Sequence, residues 1–317
     1  MSKKKRIKTI LIIVFAILAL LTAGVVGASL YFFGNMNTTE ISKDNEDLGI
    51  TEERAAQSDA KITNYALFGV DTRDMSADSG RSDAILILTV DEKHNVIKMT
   101  SILRDSKVPI EGHGEQKITH AYALGGPTLA IKTINQNFDM DIKDYVTVNF
   151  SQMAEIVDSV GGITMDLTPS EAAQINEMTP DAQKLQGSGS MELNGDQAVA
   201  YSRIRKIDSD NARADRQKEV LSAVFRKIAS LPKTQYPGVI HDFLGLVETS
   251  LTYGDLIGYT TSPLITKGFY TEQYSIPDEA YETDLKGGID STGAWVWTYD
   301  LNKAAKRLHT IVYGETE

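Results

Sequence analysis

An uncharged segment near the N-terminus decides the environment in which this chain of 317 residues folds. No charged residue occurs between Lys8 and Glu40, and residues 10–33 are mostly Leu, Ile, Val, Ala, Phe and Gly. A run of 24 residues of this kind is long enough to cross the hydrocarbon layer of a membrane, about 30 Å thick, as an α-helix. Lipid offers the backbone no water, so the segment has to be helical there. We predict a single transmembrane helix over residues 10–33.

The charges beside this segment indicate its orientation. Residues 1–9 carry no acidic side chain and five basic ones: Lys3, Lys4, Lys5, Arg6 and Lys8. The positive-inside rule places such a tail in the cytoplasm and everything after Gly34 outside the cell membrane. Residues 26–28 (Val-Gly-Ala) are similar to a signal-peptide cleavage site, so a cleaved leader is the alternative. Because the hydrophobic run is longer than is usual for a leader, we expect an uncleaved single-pass anchor.

The exported part begins with a polar stretch and continues as interleaved strands and helices. Residues 34–60 are predicted to be a spacer or a loose helix, with order beginning near Ile62. The predicted strands cover residues 65–70, 84–90, 96–103, 145–150 and 163–167. The predicted helices cover residues 120–137, 151–160, 194–204, 213–230 and 238–250, with a polar loop region over 170–190. We therefore predict an α/β fold, a central mixed β-sheet flanked by α-helices (α/β/α sandwich), preceded by a single N-terminal transmembrane helix.

Composition excludes several classes of protein. With no Cys, the chain has no disulfide framework, thiolate metal site, iron–sulfur cluster or cysteine nucleophile. The five His residues fall at no metal-ligand spacing: His94, His113, His120, His241 and His309. The net charge of −11 opposes a general role in binding nucleic acid, so no nucleic-acid partner is expected.

The arginines are unevenly placed. The chain contains 11 Arg and 21 Lys, yet seven of the 11 Arg lie in three short blocks, at residues 71–83, 101–105 and 201–217. Arg grips phosphate oxygens with two parallel hydrogen bonds, and the Asp residues between them suit a divalent cation shared with phosphate. The blocks therefore predict a site for a phosphate or pyrophosphate group. The alternative is a set of ordinary surface ion pairs.

A second local pattern lies near the C-terminus. Trp295, Trp297 and Tyr299 alternate at every second position. Such alternation is typical of one face of a β-strand, and stacking of the two indoles on sugars is the alternative interpretation. No composition break marks a second domain, although residues 265–317 are a candidate subdomain.

Six motifs occur in order over residues 62–250. They are G-x-D-x-R at 69–73 followed by Arg81-Ser82-Asp83, S-I-L-R-D at 101–105, K-I-x-x-A-Y-x-x-G-G at 117–126, D-x-x-G-G-I at 158–163, L-N-G through Y-x-R-x-R at 193–205, and D-x-x-R-x-x-R-Q at 210–217. As a set they resemble the LytR-CpsA-Psr family of Gram-positive cell-envelope proteins. Leu103 stands where that family usually has Pro, and Asn211 where it usually has an aromatic residue.

The resemblance implies an activity and a location. Proteins of this family are membrane-anchored, extracytoplasmic phosphotransferases. They move an anionic glycopolymer, such as wall teichoic acid or capsular polysaccharide, from an undecaprenyl-pyrophosphate carrier to the C6 hydroxyl of peptidoglycan N-acetylmuramic acid. The resemblance therefore implies a catalytic domain over residues 61–317, with a motif core at 62–250 and a C-terminal extension at 251–317. The implied partners are the lipid-linked glycopolymer, peptidoglycan and membrane lipid.

The resemblance also assigns roles to individual residues. It implies catalytic roles for Asp71, Asp83 and Arg104, and Mg²⁺ (or Mn²⁺) held by Asp71 and Asp83. The residues implied to bind the pyrophosphate are Arg73, Arg81, Arg104, Arg203, Arg205, Arg213 and Gln217. Those implied to support the site are Asp105, Asp210 and Arg216. Two other functions use the same residues or location, a polyprenyl-pyrophosphate hydrolase and a cell-envelope regulatory (attenuator) protein.

Overall fold

The fold is organised around a β-sheet that is packed on both faces. The structure, a computed structural model, describes residues 37–70, 80–205, 210–252 and 269–314, and the single residues 34, 207 and 255. The strands are β1 (Asn37–Thr38), β2 (Ile62–Val70), β3 (Ser82–Asp91), β4 (Val96–Ile102), β5 (Lys107–Ile110), β6 (Gly114–Lys117), β7 (Asp144–Asn149), β8 (Ile163–Leu167), β9 (Gly189–Leu193), β10 (Glu248–Thr249), β11 (Tyr270–Ile276), β12 (Lys286–Ile289) and β13 (Trp295–Thr298). The helices are α1 (Glu52–Gln57), α2 (Thr119–Phe138), α3 (Phe150–Ser159), α4 (Pro169–Met178), α5 (Gly195–Ser202), α6 (Asp210–Ser230), α7 (Tyr236–Leu246) and α8 (Leu301–Tyr313).

The main sheet has the strand order β1-β10-β7-β2-β3-β4-β11. Its central strand β2 pairs in parallel with β7 and antiparallel with β3. Strand β4 is antiparallel to β3 and parallel to β11. The sheet is therefore mixed, as predicted.

Alternate side chains of the strands face two separate hydrophobic cores. Ala66 and Phe68 of β2 belong to a core that is completed by α2, α8 and the chain segment around Leu48. Val146 and Val148 of β7 pack against the second core, which is formed mainly by α3, α5, α6 and β8. Helices thus cover both faces of the sheet, which confirms the predicted mixed sheet flanked by helices. The predicted transmembrane segment, residues 10–33, lies outside the described residues, and among those that are described no helix is both long and apolar enough to span a membrane.

Several motif residues lie together at one edge of the sheet, the edge at which β2, β4 and β7 end and β3 begins. Because β2 and β7 are parallel, their carboxyl ends lie side by side, with Val70 opposite Asn149. Because β3 runs antiparallel to β2, its first residue, Ser82, pairs with Val70 at the same edge. Strand β4, antiparallel to β3, ends there as well. Two motifs that are separated in sequence, at residues 69–83 and 101–105, therefore meet at one edge.

The segment before β2 differs from the expected spacer. Leu48 is fully buried and Ile50 nearly so, and both belong to the first core. Arg54 is also buried, with its guanidinium 4.2 Å from the centre of the Tyr313 ring. The prediction that order begins near Ile62 is therefore wrong. The few apolar residues of this polar stretch pack on α2 and α8, a long-range contact that local composition does not reveal.

Two further predictions from local pattern need correction. Residues 170–190 are not only loop, because α4 occupies Pro169–Met178 and begins with a capping box between Thr168 and Glu171. That capping signature, Thr followed three residues later by Glu, was visible in the sequence. The helix predicted over 238–250 ends earlier, at Leu246, because the chain then joins the sheet as β10. The candidate subdomain at 265–317 contributes β11 to the main sheet and α8 to the first core.

Two of the motifs contact each other rather than a ligand. The backbone N–H of Gly195, in the L-N-G motif, donates to the carboxylate of Asp158 in the D-x-x-G-G-I motif at 2.7 Å. Gly161 and Gly162 end α3 with positive φ angles of 80° and 81°, as the predicted helix stop requires. A Cβ atom at residue 195 would overlap the carbonyl group of Ala154, so α3 and α5 approach closely only because Gly195 has no side chain.

We expect Gly195→Ala to destabilise the fold. The added methyl group must push α3 and α5 apart, which costs about 1–3 kcal/mol of unfolding free energy. The expected fall in Tm is about 3–10 °C, measured by circular dichroism of the purified protein. Gly187→Ala is the matched control, because that glycine is exposed and nothing lies within 4 Å of an added Cβ. Equal Tm values for the two variants would contradict the close-packing role.

Candidate active site

The centre of the site is an ion pair at the motif-bearing edge of the sheet. Oδ1 of Asp83 accepts a hydrogen bond from Nη1 of Arg104 at 2.6 Å, and Oδ2 lies 3.7 Å from Nη2 of Arg205. Strand pairing explains the contact, because β3 and β4 pair as far as Leu86 and Ser101, which brings Asp83 and Arg104 close to each other just beyond the last pair. Two guanidinium groups thus share one carboxylate, which leaves the edge with excess positive charge.

Arg104 is held in place by Asp105 and its neighbours. Oδ2 of the buried Asp105 lies 3.6 Å from Nε of Arg104, and Oδ1 accepts a hydrogen bond from Lys117 at 2.7 Å. The hydroxyl of Thr119, at the start of α2, donates to the backbone oxygen of Ser82 at 2.8 Å. These contacts fix the ends of β3 and β4 relative to each other. Asp105 has the contacts expected of a residue that positions Arg104.

A polar cavity of about 660 Å³ opens beside this ion pair. The sequence-predicted residues that line it are Asp83, Arg203, Arg205, Arg213 and Gln217. The Arg203 guanidinium lies 4.8 Å from the centre of the Phe150 ring, a cation–π contact that orients it. The cavity also has Asp196 in its wall, so it carries three arginines and two carboxylates, and the excess of guanidinium groups suits a ligand with multiple negative charges.

Arg213 and Gln217 lie one turn apart on α6, whereas Arg216 points elsewhere. Nε of Arg216 donates to Glu171 at 3.1 Å, and Nη1 donates to the backbone oxygen of Ile204 at 3.3 Å. Burial alone would raise the pKa of Glu171, but hydrogen bonds from Thr168 and Arg216 outweigh it and lower that pKa. Arg216 thus joins α6 to α4 and does not line the cavity.

Arg81 lies at the outer rim, on the side of α2. Its side chain is exposed, and its charge acts on His120 of α2. Burial lowers the pKa of His120, and the positive charges of Arg81 and Lys117 lower it further, against a smaller opposing effect of Asp105. This environment therefore favours the neutral imidazole.

Three predicted residues cannot be placed as side chains. Asp71 and Arg73 directly follow β2 but lie outside the described residues. Asp210 is the first residue of α6, and its side chain is outside the described part of the structure. The position of Val70, opposite Ser82 at the end of β2, puts the chain that leads to Asp71 at the same edge as Asp83.

An apolar cavity adjoins the polar one, and sequence reasoning did not identify its lining. It lies between helices α3, α6 and α7 and the face of the sheet that packs against the second core, and its volume is about 110 Å³. The two cavities share the lining residues Asp83, Phe150, Ser202 and Gln217. The apolar lining includes Leu67, Leu86, Val146, Val148, Met153 and Val224. In the sequence these residues are indistinguishable from ordinary core residues, so no local signal marks them.

A larger polar cavity of about 1120 Å³ lies elsewhere, along β11. Its basic groups already have acidic partners. Lys218 is 2.8 Å from Asp215, and Arg307 is 2.9 Å from Glu282. None of the seven clustered arginines lines it. The smaller cavity at Asp83 is therefore the better candidate for anion chemistry.

The carboxylate groups at the site are the side chains that could bind a metal ion. Among the described residues there is no cluster of three or more His, Cys, Asp or Glu side chains that could enclose a metal ion. Mg²⁺ does not need such a cage, because it is commonly bound by one or two carboxylates together with substrate phosphates and water. Asp83, at the cavity wall, is chemically suited to that mode.

Known proteins are similar to this chain in both sequence and fold. The family model LytR_cpsA_psr matches residues 29–310. The polyisoprenyl-teichoic acid–peptidoglycan teichoic acid transferase TagT of Bacillus subtilis is 32% identical over 296 residues, which is 89% of either chain. Among solved structures, TagT bound to LI-WTA gives a TM-score of 0.68 at 28% identity, covering 87% of this chain and 99% of that one. TagT with bound octaprenyl pyrophosphate lipid gives 0.64 at 26% identity, with the same coverage. The match of the family model over most of the chain, together with these similarities, shows that the chain belongs to the LytR_cpsA_psr family.

Proposed function

We propose that this chain transfers an anionic glycopolymer, wall teichoic acid or capsular polysaccharide, from an undecaprenyl-pyrophosphate carrier to peptidoglycan. The acceptor is the C6 hydroxyl of N-acetylmuramic acid. That the chain is a transferase follows from its similarity to named transferases along most of its length. One observation carries the choice of donor: an arginine-lined cavity and an apolar cavity share a wall at Asp83, Phe150 and Gln217. A prenyl pyrophosphate has the same two parts, an anionic head and an apolar tail.

The arginines account for the charge that the reaction develops. The acceptor oxygen forms a bond to the sugar-side phosphorus, and the bond from that phosphorus to the bridging oxygen breaks. The electron pair leaves with undecaprenyl phosphate, and the hydroxyl proton passes to solvent or a nearby base. Arg104, Arg203 and Arg205 stand where they can neutralise the phosphoryl oxygens throughout this exchange. Because they are held by Asp83, Asp105 and Phe150, little reorganisation is needed.

The proposal includes a divalent cation. Asp83, together with Asp71, would hold Mg²⁺ (or Mn²⁺), which supplies further charge neutralisation at the pyrophosphate when bound. Asp83 also accepts the Arg104 hydrogen bond, so its carboxylate couples the arginine cluster to the cation. Removing the charge of Asp83 is expected to weaken both the positioning of the arginine cluster and the binding of the cation.

The apolar cavity is narrower than the tail it is proposed to receive. Its volume of about 110 Å³ is below the range of about 300–1,000 Å³ usual for ligand pockets. Binding a long prenyl chain therefore requires α6 or α7 to move outward from the sheet. The helices would part along the boundary between the sheet and the second core, where Val146, Val148 and Val224 meet.

We expect Asp83→Asn to lower kcat/KM by about 10²-fold or more, because the carboxylate orients two arginines and serves the cation. Arg104→Lys is expected to lose about 10-fold or more, since an ammonium cannot reproduce the planar two-pronged contact. Purified exported domain, lipid-pyrophosphate donor, Mg²⁺ and peptidoglycan oligomers form the assay. Arg226→Ala is the matched control, because that arginine is exposed on α6 and lies outside the three blocks.

The products of that assay separate the alternatives. A phosphodiester-linked polymer on peptidoglycan is the expected product. Free glycopolymer phosphate alone, in the presence of a competent acceptor, would instead identify a hydrolase. Intact polymer attachment in cells that carry only Asp83→Ala would favour a regulatory role.

A substitution in the apolar cavity tests the tail-binding role. We expect Val148→Phe to weaken binding of octaprenyl pyrophosphate by about 10-fold or more, because the larger ring occupies space against the sheet face. Binding of geranyl pyrophosphate, with a much shorter tail, should change less. Both are measured by calorimetry on the same protein preparation. Equal losses for the two lipids would contradict a role in receiving the distal tail.

The proposal also places the enzyme at the cell membrane, anchored by residues 10–33, with residues 1–9 in the cytoplasm and the catalytic domain outside. The uncharged run and its basic flank support this topology. Protease added to intact protoplasts is expected to digest the domain and leave a cytoplasmic marker protein whole. Protection of the domain under those conditions would refute the orientation.

A further inference from the structure

The hairpin formed by β12 and β13 presents an exposed aromatic face next to the site. Trp295 and Trp297 are the two tryptophans of the chain. In the antiparallel register Trp295 is opposite Ile289 and Trp297 is opposite Gly287, so all four residues lie on one face of the hairpin. Trp295 is 50% exposed and Ile289 73% exposed. The alternation predicts a strand, which the structure confirms, but a buried face would not leave these side chains in water.

Gly287 allows the two indoles to lie across the hairpin. Their rings are edge-to-face, with centroids 6.0 Å apart and an interplanar angle of 84°. A Cβ atom at residue 287 would come within 2.6 Å of the Trp295 ring and 2.9 Å of the Trp297 ring. The neighbouring Gly288 has nothing within 4 Å of an added Cβ. Only the first of these two glycines therefore shapes the aromatic face.

The aromatic face begins at the anion site. The backbone N–H of Trp297 donates to the backbone oxygen of Asp105 at 2.9 Å, directly after Arg104. Trp297 also lines a small cavity together with Asp83, Arg104 and Gln217. On the opposite side of the hairpin Val296 is buried, which anchors the strand and turns the indoles outward. Trp295 then extends the face away from the ion pair into solvent.

The positions of the apolar cavity, the ion pair and Trp297 indicate which substrate would contact the aromatic face. The apolar cavity lies against β7, β2 and β3, the Asp83–Arg104 pair joins the start of β3 to the end of β4, and Trp297 contacts Asp105 directly after that end. In the proposed reaction the lipid phosphate leaves toward the apolar cavity. An in-line nucleophile approaches from the side away from that cavity, and Trp297 lines the space at Arg104 but not the apolar cavity.

We propose that Trp295 and Trp297 form the subsite that binds a sugar ring of the acceptor glycan, an inference that rests on the proposed transferase function. The apolar faces of pyranose rings pack on indole rings, while their hydroxyl and acetamido groups remain hydrated at the exposed rim. Such stacking positions the acceptor hydroxyl near Arg104, which converts a bimolecular encounter into an oriented one. The two indoles are positioning residues rather than catalytic ones.

Because both tryptophans lie in this hairpin, the intrinsic tryptophan fluorescence of the exported domain reports on this face alone. We expect a saturable change in emission when a peptidoglycan tetrasaccharide of N-acetylglucosamine and N-acetylmuramic acid is added without donor or metal. Maltotetraose and anionic phospholipid vesicles are the comparison probes. An equal response to maltotetraose would overturn the specificity for the acceptor. A response to vesicles but not to the glycan would identify a membrane contact instead.

Variants separate binding from structural support. Trp297→Ala and Trp295→Ala are expected to raise the KM for the acceptor about tenfold and leave the KM for the lipid donor unchanged, with Trp297→Phe recovering most of the loss. Gly287→Ala should act like the tryptophan variants, and Gly288→Ala is its matched control. A rise in both KM values, or no rise in either, would refute the inference.

Failure of the aromatic subsite and failure of the proposed function give different results. Transfer activity without a fluorescence response or an acceptor KM change would remove the aromatic subsite and leave the transferase intact. A saturable glycan response in a protein that transfers nothing would retain a saccharide-binding face and remove the transferase.

Discussion

A carboxylate surrounded by guanidinium groups at the rim of a sheet keeps its geometry only when neighbouring elements hold every group in place. Asp83 and Arg104 meet that condition because the pairing of β3 with β4 brings the start of one strand beside the end of the other. Asp105 and Lys117 then brace Arg104 from behind. The parallel pairing of β2 with β7 adds the start of α3, and with it Phe150, to the same edge. The cavity, its charge and its aromatic rim are all arranged around this contact.

The position of the site between a polar edge and a hydrophobic core suits a ligand with two unlike ends. The second core packs α3, α6 and α7 on one face of the sheet and leaves a small apolar space against Val146 and Val148. Arg203 and Arg205 stand at the mouth of that space. Other motif residues serve the scaffold: Gly195 lets α5 approach α3, and Arg216 ties α6 to α4. The shared motifs thus divide into groups that face a ligand and groups that hold the helices which frame it.

Prediction from the sequence succeeded where a residue's chemistry is unusual for its surroundings. Arginine is scarce in this lysine-rich chain, and four of its clustered arginines do lie around Asp83. Prediction failed where burial depends on contact with residues that are far away in the sequence. Leu48 lies in a polar stretch yet is fully buried, because α2 and α8 cover it. The apolar cavity was not predicted for the same reason, since Val148 or Leu67 in a strand has the same local pattern whether it faces a packed core or an open space.

Sequence alone indicated the clustered arginines as a candidate anion site, the order of most strands and helices, and the uncharged run that predicts a membrane anchor, because these depend on local composition, periodicity and residue type. Tertiary structure decided which residues act together. It set Asp83 between Arg104 and Arg205, turned Arg216 away toward Glu171, joined the polar cavity to an apolar one, and placed the Trp295–Trp297 face beside Arg104. Those relations depend on strand register and helix packing between residues that are more than 20 positions apart in sequence. No local pattern encodes them.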